Sequence, residues 1–198
     1  MQSTNNPPAK VKYFDDQIFE KTDYSTQLLE KGNYENCIFR NCNFNEADLK
    51  SVNFTDCRFE ECNLSMAKLI GTQMNNLSFI NCKMLGLKFE HCNPFLFSVN
   101  FTGCQLNLAS FYKLKLKQIK FSNCILHKVD FTEADLTEAS FDHCDLHGAS
   151  FEYCTLTKAD FRTAVNFAIH PDTNKIAKAR FSKHNLSGLL LRYNLNIE

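Results

Sequence analysis

An apolar residue recurs every five positions along almost the whole chain, and the residue two places before it is small or apolar as well. The central positions run Phe19, Tyr24, Leu29, Tyr34, Phe39 and on to Phe89, then from Leu96 to Phe161, where leucine and phenylalanine alternate without exception. Fifteen centres in the first run and fourteen in the second make twenty-nine, and apart from two tyrosines none of them is polar. From Cys37 to Ala159 no residue two places upstream of a centre is charged, and only Thr72 and Pro94 depart from the small-or-apolar rule. The other three positions of each five are mostly Asn, Asp, Ser, Thr, Glu, Lys and Arg.

A period of five matches neither a 3.6-residue helix nor a two-residue strand. It fits a coil whose sides each turn two residues inward and leave three outside. The phenylalanines add a longer beat: Phe19, Phe39, Phe59, Phe79, Phe101, Phe121, Phe141, Phe161 and Phe181 are spaced by twenty residues, with one gap of twenty-two. Five residues per side and twenty per turn describe a square coil, stacked about nine times. At the ordinary strand spacing of about 4.8 Å the stack is a rod roughly 40 Å long. Each coil buries its inward side chains only against its neighbours, so one coil is unstable alone and the open ends need covering.

The chain of 198 residues contains ten cysteines. In a short chain that number raises a disulfide framework, but nine of them fall at the inward position two places before a centre, and Cys92 does so when the upstream run is extended. Cys42, Cys62, Cys82, Cys104, Cys124 and Cys144 stack on one side of the square as an inward ladder. We read them as small fillers of a tight interior with reduced thiols. No ligand cluster with zinc-like spacing stands apart from the repeat, so no metal is expected. His127 and His147 stack outside as solvated side chains. Every charged residue of the repeat points outward, so no buried carboxylate pair or nucleophile triad can be built. No enzyme activity, cofactor or small-molecule substrate is expected. Charged or amide residues interrupt every apolar run short of membrane length. The expected protein is cytoplasmic, with no membrane partner.

These residues carry a resemblance. The repeat resembles that of the pentapeptide-repeat proteins, whose loose consensus is Ala-Asp/Asn-Leu/Phe-X-X; Ala47-Asp48-Leu49-Lys50-Ser51 and Ala134-Asp135-Leu136-Thr137-Glu138 match it directly. The resemblance covers about residues 15–181 and implies an all-β solenoid, a right-handed quadrilateral β-helix of about nine coils with a short C-terminal helix and strand. The expected organisation is a disordered N-terminus over 1–12, a β-helix over 13–181 and a C-terminal module over 182–198.

The pattern breaks twice. Two extra residues lie within 90–99, around Asn93, Pro94 and Phe95. Pro94 cannot donate a backbone hydrogen bond, so a bulge or corner is expected, either a tolerated offset or a protruding contact with Phe95 or Phe97 exposed. Over 162–181 the repeat degrades, yet Phe181 returns on the interval, which predicts one irregular last coil. Beyond it Ser182 is placed to cap a helix, and Leu186, Leu189, Leu190 and Tyr193 form an amphipathic stripe. Tyr193-Asn194-Leu195-Asn196-Ile197 alternates like a strand. This tail either folds back as a cap or pairs with a second copy.

Asn174-Lys175-Ile176-Ala177-Lys178-Ala179-Arg180-Phe181-Ser182, Gly188-Leu189-Leu190 and the terminal Tyr193-Asn194-Leu195-Asn196-Ile197 are similar to the dimerisation module of the Qnr-type pentapeptide-repeat proteins. That likeness implies a homodimer joined through Leu186, Leu189, Leu190, Tyr193, Leu195 and Ile197. It also implies a DNA-mimicking rod that binds DNA gyrase or topoisomerase IV and protects them from quinolones. The chain lacks the long loop between coils that matters in the best-known members. The alternative is a pentapeptide-repeat scaffold for another protein, with no topoisomerase role.

Charge is uneven along the rod although the net is zero. Residues 13–61 hold eleven acids and five bases, a net of −6. Residues 91–129 hold no acid and five lysines, Lys113, Lys115, Lys117, Lys120 and Lys128. Residues 130–162 return to −6, with Asp130, Glu133, Asp135, Glu138, Asp142, Asp145, Glu152 and Asp160 against Lys158 and Arg162. This acidic belt is the candidate partner surface, either a field that attracts a basic saddle or ordinary solubilising charge. Direct nucleic-acid binding is not expected, because the lysines lack interleaved exposed aromatics.

Overall fold

The computed structural model describes residues 11–196. The chain winds as a square coil with two faces regular enough to form parallel sheets. One sheet has seven strands, from Ile18–Glu20, Ile38–Arg40 and Arg58–Glu60 through Leu77–Ile80, Val99–Thr102 and Lys120–Ser122 to Ser140–Asp142. The other has four, Lys12–Asp15, Gly32–Glu35, Asn53–Thr55 and Gln73–Asn75. Phe39 pairs with Phe59, Phe59 with Phe79 and, across the twenty-two-residue gap, Phe79 with Phe101. The solenoid thus has about seven regular turns where the phenylalanine interval predicts nine. The two remaining rungs are held by single bridges, Ser140 to Asp160 to Arg180, and by Phe181 stacked 5.3 Å from Phe161. The first coil begins at Lys12, and Phe14 stacks on Tyr34 at 4.5 Å. Of the disorder expected over 1–12, residues 1–10 lie outside the described residues, and Lys12 already belongs to the first strand.

Inward phenylalanines form columns of parallel rings, 4.7 Å apart for Phe39 and Phe59 and 5.1 Å for Phe101 and Phe121. Adjacent columns meet edge to face, as Phe121 and Phe131 do at 76°. Both geometries are favourable for the ring quadrupole. Corners are made two residues after each centre, where Glu46, Met66, Leu108, Glu133 and Lys158 adopt φ between 57° and 62°. An L side chain there costs roughly 1–2 kcal/mol, and stacking on both sides keeps it there.

Corners come in two kinds, and the residue two places before the next centre decides which. Where it is alanine, valine or another non-cysteine such as Thr72, Leu114 or Ile119, its N–H donates back across the corner, Ala47 to Phe44 at 3.0 Å and Ala134 to Phe131 at 2.9 Å. Where it is cysteine, that bond is absent and the corner stays extended, except at Cys92, whose N–H donates to Phe89 O at 3.0 Å. The centre's carbonyl, which stays in the strand ladder, also accepts the thiol of the next coil, Cys62 on Phe39 and Cys82 on Phe59, each at 3.3 Å. Several cysteines are more than small fillers: the thiols of Cys57, Cys62, Cys82, Cys104 and Cys154 add a hydrogen bond to a carbonyl of the coil before.

Candidate functional site: the belt, the interruption and the tail

The acidic belt encircles the rod. Asp130, Glu133 and Glu152 lie beside the Phe131 and Phe151 side, Asp135 and Glu138 beside Leu136, Asp142 and Asp160 beside Phe141 and Phe161, and Asp145 beside Leu146. Four of these side chains shape the backbone. The Oδ1 atoms of Asp130, Asp135, Asp145 and Asp160 accept the N–H two residues on, from Thr132 at 2.9 Å, Thr137 at 3.1 Å, His147 at 3.1 Å and Arg162 at 3.2 Å. A short acceptor competing for local N–H groups favours a turn, which explains Asp and Asn just before so many centres.

Neighbouring coils also bring cations to the belt. Glu133 pairs with Lys113 at 3.4 Å, Asp135 with Lys117 at 3.6 Å and Glu138 with Lys158 at 2.7 Å. Asp145 meets His127 Nε2 at 2.8 Å and Asp142 meets His143 Nδ1 at 2.9 Å. Asp160 is held by Arg162 at 2.9 Å and also by Arg180. Hydrogen bonds from Gln118 and Lys158 hold Glu138 below the usual carboxylate range, Thr163 does so for Asp142, and Arg162 for Asp160. Glu138, Asp142 and Asp160 thus stay ionised, but much of the belt's charge is met at short range by basic side chains.

At the interruption, the main chain runs through a 3-10 turn, Phe89–His91, and then bulges over Pro94–Phe97. Asn93 Oδ1 accepts the N–H of Phe95 at 2.9 Å and fixes the start of the bulge. Leu96, expected inside as the first centre of the second run, is instead 55% exposed with φ +57°. Phe97 turns in and packs on the core, edge-on to Phe89 at 6.2 Å. The two extra residues shift the inward position by one, so the larger neighbour takes it. Phe95 stands 67% exposed.

The tail differs from its expectation. Two 3-10 turns, Leu186–Leu189 and Leu191–Tyr193, replace the helix, and no strand follows among the described residues. Ser182 does not cap a helix; Asn185 precedes the first turn and donates its Nδ2 to Ala164 O at 2.8 Å. Gly188 lies so close to Phe167 that an added Cβ would come 2.5 Å from its carbonyl oxygen. Leu189 therefore packs against the core and Leu190 is half-buried, while Leu186, Tyr193 and Leu195 are exposed. Leu191, which the stripe omitted, is the most exposed leucine of this segment at 61%. Its signal was missed because a 3.6-residue period was applied where the chain turns every three. Ile197 lies outside the described residues.

All ten cysteines are buried and unpaired. Burial pushes the Cys57, Cys92 and Cys154 thiols up to about 12. Hydrogen bonding between neighbouring thiols, together with burial, holds Cys42, Cys82 and Cys144 above the ordinary thiol range. The His127 and His147 rings meet edge to face at 5.7 Å. Among the described residues no three metal-ligating side chains gather at one point, and no helix is long and apolar enough to cross a membrane.

A repeating square coil with outward polar triplets defines a pentapeptide-repeat solenoid, and family comparison agrees. The Pentapeptide repeat region model matches residues 52–129, and the Pentapeptide repeats (8 copies) model matches 33–65 and 130–165. The chain belongs to the pentapeptide-repeat family. Among solved structures it is similar to a trypsin-treated form of QnrB1, described as a plasmid-mediated fluoroquinolone resistance protein. The two are 19% identical over 94% of this chain and 100% of that one, with a TM-score of 0.49. It is also similar to HetL, a pentapeptide repeat protein involved in heterocyst differentiation regulation from the cyanobacterium Nostoc sp. strain PCC 7120. That match is 17% identical over 86% of this chain and 84% of that one, with a TM-score of 0.48. Among curated proteins no significant match was found.

Proposed function

We propose that this protein is a non-enzymatic interaction rod that engages DNA gyrase or topoisomerase IV in place of a DNA duplex and moderates their inhibition by quinolones. The supporting observation is the order of surfaces along the rod. The acidic belt over 130–162 lies directly below a tail whose Leu186, Leu191, Tyr193 and Leu195 side chains are exposed. Pairing of two tails would bring two belts to either side of the dimer centre and sum their fields against a basic saddle. The likeness of residues 174–197 to the Qnr-type tail supports the same reading.

The pairing of Glu133, Asp135, Glu138 and Asp160 with Lys or Arg from neighbouring positions favours a second reading, a scaffold for a partner that does not recognise phosphate-like charge. A gyrase supercoiling assay titrated with the purified protein, with and without ciprofloxacin, separates the two. Restored supercoiling in the presence of drug, or direct inhibition in its absence, supports the topoisomerase reading. No effect of either kind in an assay that responds to a control supports the scaffold.

A further inference from the structure

The backbone ladder that joins one coil to the next is interrupted beside the bulge. Above the gap lies Tyr112–Lys117, and below it the bulge after the Phe89–His91 turn. The ladder is intact before it, where Phe89 N–H donates to Ser110 O at 2.9 Å, and resumes after it, where Asn100 pairs with Lys120. In between, the regular pattern would have Lys115 N–H donate downward and the carbonyls of Lys115 and Lys117 accept from below. Among the described residues, none of these three groups has a backbone partner. Ser98 N–H, which would reach up to this edge, turns down to Met74 O at 2.9 Å. The extra residues have pulled one strand away from its neighbour.

The space so opened is concave. A cavity of about 300 Å³ lies between Phe97–Asn100 and Lys115–Lys120, and one of about 350 Å³ between Pro94, Phe95, Phe97 and Lys113–Lys115. They share Phe97 and Lys115 and run as one slot between the two coils. Its walls are apolar at Phe95 and Phe97, and its rim carries Lys113, Lys115, Lys117 and Lys120. Among the described residues Lys115 and Lys120 have no carboxylate within ion-pair distance, whereas Lys113 and Lys117 are held by Glu133 and Asp135 on the far side. No acid occurs anywhere in residues 91–129.

We infer that this slot binds an extended, acidic polypeptide segment of a partner protein, which completes the ladder by pairing with Lys115 and Lys117. An unpaired strand edge is a template for strand addition: main-chain bonds supply affinity and flanking side chains supply selectivity. Lysine along such an edge repels another basic strand and pairs with carboxylates. The same residues therefore discourage self-association and select an acidic guest. Phe95, exposed beside Lys113 and Lys115, gives the guest an apolar contact at one end. The inference goes beyond the topoisomerase reading and does not depend on it, because the slot lies before the belt and away from the tail.

Fluorescence anisotropy on the full chain tests it, using a short fluorescein-labelled peptide that alternates glutamate with valine. A lysine–valine peptide and an oligothymidylate serve as comparison probes. The glutamate peptide binds and the lysine peptide does not, and binding weakens with salt as expected for charges on a rim. Lys115→Glu with Lys120→Glu weakens it about tenfold or more. Deleting Pro94 and Phe95 restores the twenty-residue interval, lets Leu96 turn inward and closes the slot. That variant melts no lower than the wild type and loses peptide binding although all the lysines remain. Undiminished binding to the deletion variant would reduce the effect to charge and overturn the inference. So would binding of the oligothymidylate with none of the glutamate peptide, or no peptide binding by the folded wild type at low salt.

Discussion

The thiol of Cys62 reaches the carbonyl oxygen of Phe39 at 3.3 Å, linking one coil to the corner of the coil before it. At the equivalent position Thr72 donates its Oγ1 to Leu49 O at 2.7 Å, and Asn174 its Nδ2 to Phe151 O at 2.7 Å. Three side chains of different chemistry thus serve one carbonyl position, and all three carry a donor. Cys62→Ala should cost about 1 kcal/mol, the usual net contribution of one hydrogen bond. Cys62→Ser should cost less than Cys62→Ala, because a hydroxyl can replace the thiol as donor. Cys62→Asp buries a carboxylate and should cost several kcal/mol, whereas Ser122→Asp, outside the square, should stay within about 0.5 kcal/mol. Urea unfolding of the four variants reads these values. Equal stability of Cys62→Asp and Ser122→Asp would reverse the inward assignment of the cysteine ladder.

The same burial governs reactivity. Thiolate is the reactive form, and burial pushes Cys57, Cys92 and Cys154 up to about 12. Folded protein should therefore react slowly with a disulfide reagent at neutral pH. Ten thiols should titrate after unfolding without reductant, matching the ten unpaired cysteines. A rapid reaction of several thiols in the folded state would mean that the coils open far more readily than the packing implies.

The rod was legible because its inward positions are enforced twice, by stacking from above and from below. The five-residue pattern identified the buried phenylalanines, the cysteine ladder and the site of the interruption. Periodicity failed at Leu96, counted in fives, and at Leu191, counted in 3.6, and for one physical reason. In both places the chain leaves the square coil, so counting in fives or in 3.6 no longer tells which side chain turns inward. Phe97 went inside because the bulge moved the inward position along by one residue. The leucines divided between cap and solvent because the tail turns in three-residue steps. The gap in the ladder was also out of reach: the two-residue excess predicts a bulge, but only the hydrogen-bond pattern shows the edge left unpaired above it.

Asp135 separates the two roles of the belt. Its Oδ1 accepts the N–H of Thr137 at 3.1 Å, while the carboxylate also lies 3.6 Å from Lys117. Asp135→Asn keeps the acceptor and loses the charge; Asp135→Ala loses both. Thermal unfolding should place Asp135→Ala below Asp135→Asn by about 1 kcal/mol, with Asp135→Asn close to wild type because an exposed ion pair contributes little. Replacing Asp135, Glu138, Asp142 and Asp145 together by Asn or Gln should then leave the fold intact. If the topoisomerase reading is right, the same variant weakens gyrase binding more than neutralising Glu46, Asp48, Glu60 and Glu61, and wild-type binding falls more steeply with salt. Equal loss from the two sets would remove the belt from the interaction.

Acid should loosen the C-terminal coils in a defined direction. Hydrogen bonds from Gln118 and Lys158 lower Glu138, and those from Arg162 lower Asp160. A carboxylate lowered on folding contributes stability above its unfolded value of about 4 and loses it as pH falls through the lower folded value. Melting temperature should be flat from neutral pH to about 5 and fall below about 4. The fall should be smaller in Glu138→Gln with Asp160→Asn. A fall already complete above about pH 5, or one of equal size in the double variant, would mean that these two carboxylates do not control it.

The tail gives two substitutions with opposite expected outcomes. Leu189 packs on the core and Leu190 is half-buried, next to a Gly188 pressed against Phe167. Leu189→Asp with Leu190→Asp should strip the cap from the last coil, lower the melting temperature and favour aggregation through the uncovered edge. Leu186 and Leu191 are exposed and touch little of their own rod, so Leu186→Asp with Leu191→Asp should leave the monomer fold and its melting intact. If two tails pair, these are the side chains a second copy would cover. Light scattering of the wild type should then give about twice the 22.8 kDa chain mass, and the Leu186, Leu191 variant should give the single mass with an unchanged circular dichroism spectrum. A wild type that scatters as a monomer at micromolar concentration would make the tail a cap alone. The two belts could then no longer meet at a dimer centre, and the topoisomerase reading would lose its main structural support.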